Sequence, residues 1–189
     1  MFKKIVLATI LTVAMFSQGC SDEKEITSQI EEANGMLANN EFVLTSTDNK
    51  QYVIIKTATG FTLENNKDKI IILDVFATWC PPCRATAPSL STLQKKYKDN
   101  LVVIGITIED GISNSKLKDF KKANSANYVI VNSNQNRPMV NEIAKSLNLG
   151  ERFPIPVMAM YQNGKLINHY VGAVEEEFIE NDIKMALKK

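Results

Sequence analysis

The stretch IIILDVFATWCPPCRATAP, residues 70–88, runs from an apolar segment broken only by Asp74 into two cysteines three positions apart. An almost continuous apolar run of this length reads as a strand buried on both faces. Residues 84–98 read as a helix, so Cys80 falls at a strand-to-helix junction. Unpaired N–H groups and the helix dipole favour a thiolate there, and the thiolate is the attacking form of the side chain. Cys83, one turn further on, is placed to resolve a mixed disulfide.

Other uses of the pair fare worse. A closed zinc site needs four ligands, and beyond Cys80 and Cys83 the chain offers only the remote Cys20 and His169. Haem attachment would need a histidine after the second cysteine, where Arg84 stands. A static staple closing so short a loop constrains little of the unfolded chain. Cu(I) held by both thiolates stays open, since soft thiolates suit it. A redox centre is the reading with a positive physical reason.

Outward from this stretch, residues 42–47 and 51–56 flank Asp48-Asn49 and read as a β-hairpin. Residues 101–108 and 128–131 read as strands, with a helix marked by Leu117, Phe120 and Ala123 between them. A helix carrying Val140, Ile143, Ala144 and Leu147 on one face admits Pro138 in its first turn. Residues 157–161 and 165–171 flank Asn163-Gly164, a strong hairpin signal. The last helix, residues 175–187, opens on glutamates and ends near lysines, which suits its dipole. This order of strands and helices predicts an α/β fold with a sheet covered on both faces.

The chain of 189 residues suits one domain plus an extension. With 22 basic against 21 acidic residues it offers no charge that would attract nucleic acid. Residues 1–19 combine Lys3 and Lys4, a short apolar segment and a small-residue exit, which reads as an export signal. The apolar part is short for a membrane-spanning helix, which needs ~20 residues. Residues 20–41 are polar and read as a tether with partial helix, and residues 42–189 as the folded domain. Export places the domain where disulfides persist.

Cys20 directly after Gly19 resembles the bacterial lipobox, which implies lipidation and a membrane anchor. Ser17 departs from the leucine preferred there, and the same exit would also suit ordinary signal cleavage. Residues 70–88 resemble the active-site segment of the thioredoxin superfamily. Within it, WCPPC is similar to the exported, membrane-tethered branch of TlpA-, ResA- and CcmG-like proteins. A second stretch, IPVMAMYQNGKLINHYVGA at 155–173, is similar to the family's C-terminal hairpin. The resemblance covers the chain from about residue 42 onward and implies a thioredoxin fold: a central mixed sheet flanked by helices, here with an N-terminal hairpin extension.

The resemblance also implies roles. Cys80 and Cys83 form the redox-active pair, with no dissociable cofactor. Asp74 matches an aspartate that shuttles a proton to and from the resolving cysteine; a hydrogen-bonded structural acid is the alternative. Burial alone disfavours its charged form. Relatives place a lysine opposite that aspartate, where this chain has Gly105. Trp79 shields one side of the thiols. Pro81 and Pro82 stiffen the loop and supply no N–H groups. Pro156 matches a cis-proline facing the cysteines, which frees the Ile155 backbone to pair with an extended substrate; Pro154 stiffens that lip. Pro88 matches a bend in the active-site helix. His169 reads as surface or packing, and a peroxiredoxin is disfavoured because no P-x-x-x-[ST]-x-x-C occurs.

The expected protein is thus a monomeric, exported thiol–disulfide oxidoreductase. Its partners would be substrate proteins with cysteine pairs, including apocytochrome c thiols, and a membrane thiol donor of electrons. An oxidase or isomerase, or a Cu(I)-binding module, is the alternative.

Overall fold

The seven residues of β4 (Ile70–Phe76) are all buried, and this strand occupies the centre of a five-stranded sheet ordered β6-β5-β4-β7-β8. The computed structural model describes residues 40–188; the expected export signal and lipidation site at Cys20 lie outside them, as does nearly all of the expected tether. In chain order the elements are β1 (Glu41–Thr45), β2 (Gln51–Lys56), β3 (Phe61–Leu63), a 3₁₀ turn (Glu64–Asn66), β4, α1 (Pro81–Lys96) and β5 (Leu101–Thr107). There follow α2 (Asn114–Ala123), β6 (Val129–Val131), α3 (Asn136–Ser146), β7 (Val157–Gln162), β8 (Lys165–Val171) and α4 (Glu176–Leu187).

β4 runs parallel to β5 and antiparallel to β7, so the sheet is mixed. Alternation along the strands divides its two faces. Ile70, Ile72 and Phe76 join Leu101, Val103, Ile130, Met158 and Met160 beneath α1, α2 and α4. Ile71, Leu73 and Val75 join Ile104, Ile106, Val157 and Ala159 beneath α3 and the N-terminal strands. Asp74 shares the parity of Ile72 and Phe76, so it faces the layer that holds Cys80 and Cys83. This is the thioredoxin-like arrangement, with helices on both faces.

The N-terminal extension is larger than the expected hairpin. Phe61–Leu63 adds a third antiparallel strand against β2, too short to leave a sequence pattern. The small sheet reaches both edges of the large one. At one edge Thr47 donates to the Ile130 carbonyl (3.0 Å) and Asn132 to the Thr45 carbonyl (2.8 Å). At the other, Leu166 donates to Thr59 (3.2 Å). Both edge strands thereby gain hydrogen-bond partners that would otherwise be open to another chain. Gly164, at φ +74°, completes the β7–β8 turn after Asn163 at φ +51°, where only residues tolerant of positive φ fit.

Candidate active site

α1 begins at Pro81, earlier than the apolar spacing indicates, because Cys80 itself is the N-cap. Its Sγ accepts the backbone N–H of Cys83 at 3.3 Å. Pro81 and Pro82 occupy the first helical turn, so neither offers a competing donor. Cys80 and Cys83 are joined as a disulfide with Cα atoms 5.3 Å apart. The helix continues through Pro88, which lacks the N–H that would reach back to Arg84.

Exposure does not separate the attacking from the resolving cysteine. The two are equally covered, at 2% and 3% exposure. The cause is the loop before β7: the Ile155–Pro156 bond is cis, and the Ile155 carbonyl oxygen lies 3.6 Å from Cys80 Sγ. What distinguishes the two sulfurs is the N-cap position, not accessibility. Trp79 stands 60% exposed beside them, and Pro81 and Pro82 are exposed at the helix start. Trp79, Pro81, Pro82, Ile155 and Pro156 therefore surround the pair. His169 lies on β8 opposite Ala159, away from this rim, and Pro154 precedes the cis bond.

Asp74 is buried and pairs across the sheet with Gly105 on β5 and Met158 on β7. Its Oδ2 accepts a hydrogen bond from the Tyr128 hydroxyl at 3.2 Å, and its Oδ1 has no partner. Burial pushes its carboxyl up to about 7, and the Tyr128 bond pulls the other way. Burial also holds the Tyr128 phenol well above its ordinary value, so it stays a donor. Sequence reasoning missed Tyr128, because its approach depends on how β6 sits beside β5.

It also missed the clamp on the loop before Cys80. Glu109 accepts the Thr78 N–H at 2.6 Å and the Thr78 hydroxyl at 3.0 Å. Arg84 Nε donates to the Thr78 carbonyl at 2.8 Å. Every backbone and side-chain polar group of Thr78 is thus committed, which sets the path of the chain into Trp79 and Cys80. The only sequence signal was a pair of acids, Glu109-Asp110, just past a strand end. Among the described residues, no three His, Cys, Asp or Glu side chains gather as a metal site.

The chain is similar to known proteins over this same region. It is 36% identical over 64 residues to the thioredoxin-like protein YneN of Bacillus subtilis, covering 33% of this chain and 38% of that one. Over their first matches the curated relatives are spanned for less than half of their length. A thiol:disulfide interchange protein of the thioredoxin family from Chlorobium tepidum superposes with a TM-score of 0.60 at 24% identity, covering 78% of this chain and 94% of its own. An exposed lipoprotein thioredoxin from Streptococcus pneumoniae gives 0.55 at 22%, covering 77% and 98%. The AhpC/TSA family pattern matches residues 40–158, which hold β1 to β6, the cysteine pair and the cis-proline, and the chain belongs to that thioredoxin-like family.

Proposed function

We propose that this chain is an extracytoplasmic thiol–disulfide oxidoreductase that reduces disulfides of substrate proteins. The observation that carries the reading is the Cys80–Cys83 disulfide, capped onto the start of α1 and rimmed by Trp79 and Ile155. In the reduced form the Cys80 thiolate attacks one sulfur of a substrate disulfide. A Cys80–substrate bond forms, and the first substrate thiolate leaves and takes a proton. Cys83 then gives its proton to the Asp74 carboxylate and attacks Cys80 Sγ. The Cys80–Cys83 bond closes as the Cys80–substrate bond breaks, and the second substrate sulfur leaves as a thiolate that takes a proton from water. Two electrons have passed to the substrate, and a membrane dithiol donor restores the pair. No dissociable cofactor takes part.

Extended substrate lies along the Ile155 backbone, with Trp79, Pro81, Pro82 and Pro156 as its walls. Lipidated Cys20 anchors a monomer on the periplasmic side of the bacterial cell envelope, and thiols of the apocytochrome c kind are the substrate class. The resemblance to exported relatives and the export signal support this placement. The tether of residues 20–41 would reach ~70 Å when extended. Mass spectrometry of the membrane-bound protein should find an acyl chain on Cys20, and Cys20→Ala should leave the activity of the soluble domain intact.

The deciding experiment is the reduction of insulin disulfides by the dithiol form, with the potential of the Cys80–Cys83 pair measured alongside. For this two-electron couple 30 mV is ~1.4 kcal/mol, so tens of millivolts decide the direction. A potential nearer the strongly oxidising end would make the protein an oxidase or isomerase. Stoichiometric Cu(I) binding without disulfide exchange, or consumption of hydroperoxide in its place, would overturn the reading.

A further inference from the structure

Across the sheet from the buried Asp74, the neighbouring strand β5 places Gly105. Gly105 sits in ordinary strand conformation, so its missing side chain serves space and not backbone freedom. A Cβ there would come within 3.1 Å of Tyr128 Cε2, 3.2 Å of Phe76 Cε1 and 3.3 Å of Ile130 Cγ1. The room is filled by the Tyr128 ring, which crosses over β5 from the residue before β6 and reaches Asp74 Oδ2. Lys121 of α2 donates to the Tyr128 carbonyl and fixes its backbone.

We propose that Tyr128 is the positioning residue of the Asp74 carboxyl, admitted by the absence of a side chain at Gly105, and that it leaves Oδ1 as the oxygen exchanging a proton with Cys83. This deepens the oxidoreductase reading and rests on it for the role of Cys83. The Tyr128 hydroxyl has one proton, committed to Oδ2. Oδ1 is buried without a partner, so it is the oxygen free to take an incoming proton, which removes the cost of a buried charge. The titratable groups of this core are Tyr128 and the Cys80–Cys83 pair, with Tyr97 and Tyr170 packed partly buried at its edge. β5 and β7 present Gly105 and Met158 to Asp74, α2 brings Leu117 and Phe120, and α4 brings Ile179 and Ile183. With no cation among them, the neutral donor holds the carboxyl in place and lowers its affinity for the proton without pinning it as a permanent anion.

The test is Tyr128→Phe, which keeps the ring and removes the donor. The Asp74 carboxyl carbon, followed by NMR in aspartate-labelled protein, should titrate about one pH unit higher than in the wild type. The Cys83-dependent release of a mixed disulfide should then fall about fivefold at pH 7 and recover at pH 9. Gly105→Ala, which pushes the ring away, should move the midpoint in the same direction. An unmoved or lowered midpoint in a folded Tyr128→Phe protein overturns the proposal. Should that variant not fold, the wild type decides: the hydroxyl-bearing ring carbon of Tyr128 must titrate with the Asp74 midpoint, and independent behaviour refutes the coupling. The two NMR readouts need no turnover, so an inactive wild type would sink the oxidoreductase reading and leave the Tyr128 result standing.

Discussion

Glu109, two residues past the end of β5, holds both hydrogen-bond donors of Thr78, two residues before Cys80. One carboxylate thus ties the strand that flanks β4 to the loop that delivers the nucleophile. Glu109→Ala leaves the Thr78 N–H and hydroxyl without their charged acceptor, a loss of about 1–3 kcal/mol. The expected result is a lower melting temperature, faster hydrogen exchange at the Thr78 amide and several-fold slower disulfide reduction. Exchange at Thr78 as slow as in the wild type would mean that Arg84 alone holds the loop.

Cys80→Ser should abolish disulfide reduction, whereas Cys83→Ser should accumulate mixed disulfides with substrate. The N-cap geometry motivates this, because the Cys83 amide points at Cys80 Sγ and no comparable donor is given to Cys83. Alkylation of the reduced protein at mildly acidic pH should label Cys80 first. Faster labelling of Cys83 would reverse the assigned roles.

Asp74→Asn tests the buried acid through stability as well as rate. The folded-state carboxyl titrates at about 7 against an ordinary 3.8, raised mainly by burial. Between those values the folded state binds the proton and the unfolded state does not. Stability therefore is full below pH 4, falls as pH rises through 7, and levels off above. The Asn variant loses this dependence and should gain on the wild type by up to about 4 kcal/mol at pH 8, with no gain at pH 4. Its resolving step should slow at the same time, by less than the ~10²–10⁴-fold typical of general acid–base groups. A variant that is less stable at pH 8 and exchanges normally would make Asp74 a structural acid.

Gly164→Ala should destabilise the domain by about 1–3 kcal/mol while sparing the chemistry. Its φ of +74° disfavours a side chain, and a Cβ would meet Thr57 Cγ2 at 2.7 Å. Thermal melts and insulin reduction on the same sample separate the two effects; an unchanged melting temperature would show that the turn relaxes freely.

The fold was largely legible because each element writes its own periodicity. The continuous apolar run of 70–76 declared a central strand, and Asn163-Gly164 declared a hairpin. The cysteine pair, Asp74 and Pro156 were legible from local spacing and from the resemblance they carry. β3 was not, since three residues are too few to show alternation against background.

By itself the sequence determined which strands are buried and that an acid within a buried strand precedes two cysteines at a strand-to-helix junction. These follow from local rules of hydrophobic period, capping and turn chemistry. Only the tertiary structure decided what touches that acid and what holds the loop. The space beside Asp74 is shaped by the lateral register of β4, β5 and β6, which brings Gly105 opposite Asp74 and Tyr128 across from both. Thr78 and Glu109 meet because β4 and β5 end side by side, 31 residues apart in the chain. Contacts between strands joined by long crossovers depend on register and layer packing, and no short window of sequence encodes either.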